Sequence, residues 1–422
     1  MKNCFAWIGL VFSLLGHQQA YAADPLPRVD PGKARFSAES LARIDQFFAD
    51  EIARDRIPGA VVAIAREGKL VYYKAIGFHD KAAGVPLRID AIFNLASMTK
   101  VMAVVGALTL YEEGKLPLKA PLSQWYPQFK SMEVGIVDSG GAIRTEPAKN
   151  PIFIQDLMRH TSGLTYGARG STPVHKRYPA GSGVAALTMT GPEFLDALSK
   201  LPLLYQPGTT WDYGFSIDVL GLVVEKITGK TLGGALEERV WSKLGMSDTT
   251  FLVPAEKRGR LAQPLPNDPI TGKPQSIRAL RDQTKFDCAG ACAFSTAADY
   301  LRFGQMLLNG GTLEGKRVLS PNTVALMTSD HLGQNIKNNV AGTEAGRDGY
   351  GFGLGVAVRM VPGVAATNGS VGDYTWNGAN GTLFWVDPKE QLVVVAMTVG
   401  PGEIRKYYRE QMAALVYGAM QK

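Results

Sequence analysis

The sequence predicts a two-lobed α/β protein, with an α/β lobe assembled from both chain ends and a mainly helical lobe inserted between them. Three observations predict it. Runs rich in β-branched and aromatic residues lie towards both termini, apolar residues at helical spacing flank those runs, and Pro and Gly break the stretch between them into short helical patterns. The expected layout is 23–105 and 295–422 for the two parts of the α/β lobe and 106–294 for the insertion. A chain of 422 residues suits two lobes better than one, and 45% apolar residues is ordinary for a globular core.

Taken in order, residues 1–22 have the three-part layout of a secretory signal: Lys2, an apolar run over 4–15, and the small-residue site Ala20-Tyr21-Ala22, with cleavage after Ala22. The apolar run is shorter than the roughly 20 residues a spanning helix needs. No later segment approaches that length, so the mature protein is expected to be periplasmic or secreted, without an integral membrane segment. Residues 40–57 place Leu41, Ile44, Phe47, Phe48 and Ile52 at helical spacing. "PGAVVAIAREGKLVYYKAIG" then reads as a hairpin turning at Glu67-Gly68. After Ser97 a helix carries Val101, Val104, Val105, Leu108 and Tyr111 and stops at Gly114. The insertion shows helical patterns over 154–160, 191–201 and 217–227. From Ser295 a helix runs through Leu308 to "NGG", followed by β-rich runs over 351–359, 381–386 and 391–399 and a closing helix to Met420.

Charge and cysteine usage exclude several function classes. The formal net charge of +7 falls to +6 without Lys2, and Lys and Arg are dispersed rather than blocked, so no nucleic-acid partner is expected. Cys288 and Cys292 stand in "CAGAC"; in an oxidising compartment they can pair, provided the backbone between them is not helical. Two cysteines without nearby histidines make an incomplete metal-ligand set, no H-E-x-x-H is present, and no cofactor is implied. His79, His160, His175 and His331 read as structural, with His160 set apart by its place in "RHTSGLTYG".

The chemistry starts at "NLASMTK", residues 94–100, where Ser97 precedes Lys100 by three. Chance alone supplies roughly one S-x-x-K in such a chain, but the setting is informative. A serine at a helix start is usually an N-cap partnered by Glu or Gln three residues on. A cation there opposes the helix dipole. Residues three apart share a helix face, so the Lys100 amine can lie beside the Ser97 hydroxyl. Burial and the dipole both disfavour an ammonium at that place, which makes the amine available as a base, and the Ser97 N–H can face a developing oxyanion. No G-x-S-x-G elbow competes, since "GFSID" around Ser216 lacks the second glycine.

"NLASMTK", "LMRHTSGLTYG", "YQPGTTWDYGFSIDVLG", "CAFSTAADYLRFGQMLLNGG" and "YTWNGANGTLFWVDP", in that order and spacing, resemble the serine hydrolases of the class C β-lactamase superfamily, and family VIII carboxylesterases most nearly. The resemblance runs from about Ser40 to the C-terminus. It implies a DD-peptidase/β-lactamase-like fold, an antiparallel sheet flanked by helices, in agreement with the two lobes. It also implies Ser97 as the acylated nucleophile, Lys100 as its partner, and Tyr213 as the tyrosine that handles protons. A phenol ionises near pH 10 in water, so Tyr213 needs a cation such as Lys100 beside it, and the two would titrate as a pair.

Trp376-Asn377-Gly378 matches the strand that β-lactamases and DD-peptidases write as Lys-Thr-Gly, and Ala379 falls where the second oxyanion N–H is supplied. The relatives' lysine, which pairs with a substrate carboxylate, is Trp376, and their Tyr-x-Asn is Tyr213-Gly214-Phe215. Both departures favour a neutral, small-molecule ester, because a carboxylate left unpaired in a partly desolvated site loses affinity. Tyr166 and Trp376 are expected to flank the acyl group, with Asn377 and Gly378 beside it. A β-lactamase, DD-peptidase, amide hydrolase or acyltransferase on the same site, and a non-catalytic penicillin-binding-like sensor, are the alternatives. The oligomeric state stays open.

Overall fold

In a computed structural model that describes residues 23–275, 277, 283–344 and 346–421, both chain ends meet in one antiparallel sheet. The expected signal segment, 1–22, lies outside the described residues. Helix α1 (Ala38–Ala53) starts where the Ser37 side chain accepts from Ser40 N, and the hairpin β1 (Gly59–Arg66) and β2 (Lys69–Asp80) follows, edged by β3 (Val85–Pro86). Strand β4 (Phe93–Asn94) leads to α2 (Thr99–Glu112). The middle of the chain holds a small hairpin, β5 (Glu133–Val137) and β6 (Ile143–Pro147), and the helices α3 (Ile154–Met158), α4 (Ser182–Thr188), α5 (Gly191–Ser199), α6 (Ser216–Thr228), α7 (Leu232–Leu236) and α8 (Ser242–Leu244). Strand β7 (Phe294–Ser295) precedes α9 (Ala297–Leu308), the short pair β8 (Thr312–Leu313) and β9 (Lys316–Arg317), and α10 (Pro321–Met327). The chain closes with β10 (Tyr350–Phe352), β11 (Ala357–Arg359), β12 (Tyr374–Asn377), β13 (Leu383–Asp387), β14 (Leu392–Thr398) and α11 (Ile404–Ala419).

The sheet runs β10-β11-β12-β13-β14-β1-β2-β3, so the N-terminal hairpin joins the C-terminal strands through β1 and β14. Both central strands are apolar on both faces, as layers on each side require. Val61, Ala63, Val393 and Val395 face the core shared with α9 and the helical lobe. Val62, Ile64, Val394 and Ala396 face α1 and α11, where Ile44, Phe48, Tyr408 and Met412 cover them. Burying each of these valine, isoleucine, phenylalanine and methionine side chains contributes about 1.5–3 kcal/mol.

One expectation changes. The 351–359 run divides into β10 and β11, because the chain reverses through Gly353 to Gly355 and pairs Phe352 with Ala357. The expected lobe boundary at 105/106 lies within α2, which is buried from Thr99 to Leu110 and packs against α6 and α7. The chain leaves and re-enters the α/β lobe at one place, since β4 pairs with β7 through Phe93–Ser295 and Asn94–Phe294. Among the described residues, no helix is long and apolar enough to cross a membrane.

Candidate active site

The turn after β4 is built by short polar contacts. Leu95 N donates to Ala293 O at 2.9 Å, Ala96 N donates to Asn94 Oδ1 at 3.0 Å, and the Thr99 hydroxyl donates to Ala96 O at 2.7 Å. Ala96 is held at φ 45°, a left-handed conformation that costs a non-glycine residue about 1–2 kcal/mol. The strain has a local result: of residues 91–110, Ser97 alone is not buried. It sits in the 3₁₀ turn Ala96–Met98, which runs directly into α2.

Lys100 is 1% exposed. Its Nζ donates to Gly290 O at 2.5 Å and lies 4.5 Å from the ring centroid of Tyr213 and 5.6 Å from that of Tyr166. Tyr213 is half-buried just before α6, and its hydroxyl accepts from Trp376 Nε1 at 3.3 Å. The phenol oxygen thus receives an N–H while the ring lies beside the Lys100 Nζ. Tyr166 differs. Its hydroxyl bonds Ser182 Oγ at 2.7 Å and Asp218 Oδ2 at 3.4 Å, and burial, with the Asp218 charge, pushes it well above the ordinary phenol range, so it stays neutral. His160 is buried with its ring 4.7 Å from that of Tyr213; burial first, then the Lys100 charge, holds its imidazole well below the usual range. It is a neutral ring supporting Tyr213.

The opposite wall is the end of β12. Gly378 N donates to Thr382 O at 2.8 Å, and a Cβ on Gly378 would lie 2.3 Å from Leu95 O and 2.0 Å from Thr382 Oγ1. Asn380 Nδ2 donates to Asn94 Oδ1 at 2.9 Å. Asn380, next to the exposed Ala379, is thus fastened to the Ser97 turn, and Thr382, which holds Gly378, donates its hydroxyl to Leu95 O at 3.1 Å. Gly378→Ala is expected to push β12 off this turn. It should destabilise by about 1–3 kcal/mol in urea unfolding and lower kcat about 100-fold through misplacement.

Of the residues expected to line the pocket, Tyr166, Trp376 and Gly378 are buried and Asn377 is partly buried. Tyr166 is 8% exposed, with its hydroxyl committed to Ser182 and Asp218. Trp376 is 3% exposed, packed between Tyr213 and the Arg347 guanidinium, whose Cζ is 4.1 Å from its ring centroid. Asn377 points to the other face of the strand, as alternation requires, and donates to Glu344 Oε2 at 3.1 Å beside a cavity lined by Arg347, Arg359 and Arg409. Gly378 is spacing for the turn. Cys288 and Cys292 form a disulfide with Cα atoms 5.3 Å apart. Sequence reasoning missed Asn94, Asp218, Gly290 and Arg347. For Asn94 a signal existed, an asparagine two residues before the N–H it bonds; the other three act across 70 residues or more, or across separate segments of the chain.

The β-lactamase family model matches residues 44–417. The chain belongs to the β-lactamase family. This β-lactamase-family protein is 38% identical to protein Rv1367c of Mycobacterium tuberculosis over 348 residues, 80% of this chain and 85% of that one. It is 31% identical to esterase EstB of Burkholderia gladioli over 390 residues, 88% of this chain and 93% of that one. Among solved structures, it resembles EstCE1, a hydrolase with promiscuous acyltransferase activity, at TM-score 0.72 and 27% identity, covering 90% of this chain and 99% of that one. With its DD-peptidase/β-lactamase-like fold, the protein is a serine hydrolase similar to the family VIII esterases.

Proposed function

We propose that this β-lactamase-family protein is an exported esterase that cleaves small neutral carboxylic esters, of short-chain or aromatic acids, through an acyl-enzyme on Ser97. The observation that carries the reading is the buried Lys100 side chain, its Nζ 4.5 Å from the Tyr213 ring centroid and one turn from the half-exposed Ser97. Ser97 attacks the ester carbonyl, and the Lys100/Tyr213 pair takes its proton and returns it to the leaving alcohol. The Ser97 and Ala379 N–H groups face the oxyanion, and water then releases the acid. Trp376 stands where a carboxylate-binding lysine would be and donates to Tyr213, which supports a neutral substrate; the names of EstB and EstCE1 agree with ester cleavage. Export rests on the composition of residues 1–22, and the Cys288–Cys292 bridge suits an oxidising compartment.

The test is a parallel panel of p-nitrophenyl acetate, butyrate and octanoate against nitrocefin. Ester turnover that is highest for the short acyl groups and far above nitrocefin hydrolysis is expected; nitrocefin rates rivalling the esters would overturn the reading. EstCE1 favours a second outcome, acyl transfer. It would show as ester formation when an alcohol is added to the same reactions.

A further inference from the structure

Asp218 lies in the first turn of α6 and is 1% exposed. Its Oδ2 accepts from Ser182 Oγ at 2.7 Å and from the Tyr166 hydroxyl at 3.4 Å, and its Oδ1 accepts from Gly290 N at 2.8 Å. The Ser182 hydroxyl and the Gly290 N–H, with the Tyr166 hydrogen shared between Ser182 and the carboxylate, favour its ionised form. Burial pushes the carboxyl above its ordinary range, and the Lys100 charge, first among the opposing influences, pulls it back. Among the described residues no carboxylate reaches Lys100 as an ion pair. Asp218 is the counter-charge, one peptide removed.

That peptide belongs to Gly290. Its N–H points to Asp218 and its carbonyl accepts from Lys100 Nζ, so anion and cation polarise the same amide in the same sense. Position 290 admits no side chain, because a Cβ would lie 2.0 Å from Ser182 Oγ and 2.4 Å from Asp218 Oδ2. The Cys288–Cys292 bridge closes the loop around Gly290, and the loop's end is tied to the helix that carries Lys100, with Ala293 N donating to Thr99 Oγ1 at 3.1 Å.

We infer that Asp218, acting through the Gly290 peptide and the disulfide-closed 288–292 loop, is a positioning residue that aims the Lys100 amine at Ser97 and Tyr213. This rests on the role proposed for Lys100. The groups facing Asp218 are Tyr166, Ser182 of α4, Lys100 of α2 and the Gly290 peptide; those facing Lys100 are Tyr166, Tyr213, His160 and, through the peptide, Asp218.

The decisive comparison is wild type, Asp218→Asn, the Cys288→Ser/Cys292→Ser double variant, and the combination, assayed with p-nitrophenyl butyrate across pH. Asp218→Asn should lower kcat about 10- to 100-fold with little change in KM. It should also move the acid limb of kcat/KM to lower pH, because an ammonium that loses a nearby negative charge releases its proton more readily. The cysteine variant should lower kcat in the same way, and the combination should cost less than the two effects multiplied, since both act on one loop. A folded Asp218→Asn with wild-type kcat and an unmoved acid limb overturns the inference, as does full multiplicativity. If Asp218→Asn does not fold, the cysteine variant decides alone: a lowered kcat supports the device, and wild-type kcat overturns it. Fluorophosphonate labelling of Ser97 in the wild type keeps the two readings apart, because its absence would refute the acyl-enzyme and leave the hydrogen-bond chain to Gly290 standing.

Discussion

Ser97→Ala is expected to lower p-nitrophenyl butyrate turnover by at least about 10⁴-fold, the scale seen when a nucleophile is removed from a site whose other parts remain. The fold should survive the change. The turn is held by Asn94, Leu95 and Thr99, and the residue replaced is only half-buried. The thermal midpoint should therefore stay near that of wild type while fluorophosphonate labelling disappears. Retained turnover in a folded Ser97→Ala protein would end the nucleophile assignment. The double readout matters, because lost activity with a lowered midpoint would speak only of damage to the turn.

Tyr213→Phe keeps the ring against His160 and Trp376 and removes one oxygen. The expected fall in kcat is about 10²- to 10⁴-fold, the range for losing a general acid–base group. KM should change little, since the hydroxyl acts on protons rather than on the acyl group. Stability should fall by about 1–3 kcal/mol as well, because the Trp376 N–H loses its acceptor inside a buried aromatic cluster. Ser97 should still be labelled by a fluorophosphonate, but more slowly. A Tyr213→Phe enzyme with wild-type kcat and a wild-type urea midpoint would remove Tyr213 from both roles.

The sequence made the repeating elements legible and left most of the site's wiring hidden. Apolar spacing in "SLARIDQFFADEI" and the alternation around Glu67-Gly68 are local, and α1 and the β1–β2 hairpin stand where those patterns lie. The division of 351–359 into two strands turns on backbone at Gly353–Gly355, whose reversal is a matter of packing against neighbouring segments, as when Leu354 N donates to Met327 O. At the site, Ser97 and Lys100 are three residues apart and read directly, whereas Tyr213 required the family resemblance because nothing local distinguishes it from a core aromatic. The positions of Trp376 and Asn377 were legible but their orientations were not. Which face of β12 meets Tyr213 depends on the register with β13, where Trp376 pairs with Phe384. Asp218 and Gly290 stand 72 residues apart, and only the folded chain brings them to one amide.

The two-rung ladder between β4 and β7 has a consequence for how such a protein can change. Everything from α2 to the 288–292 loop hangs between two strands that are clasped to each other beside the Ser97 turn. A length change in a surface segment of that excursion leaves the clasp and the Ser97 turn in place, whereas Lys100 and Tyr213, which lie within the excursion, keep their places only as long as α2 and α6 keep their packing. The same clasp marks 93–94 and 294–295 as the least forgiving places for grafting or cutting the chain, although neither pair reacts with anything.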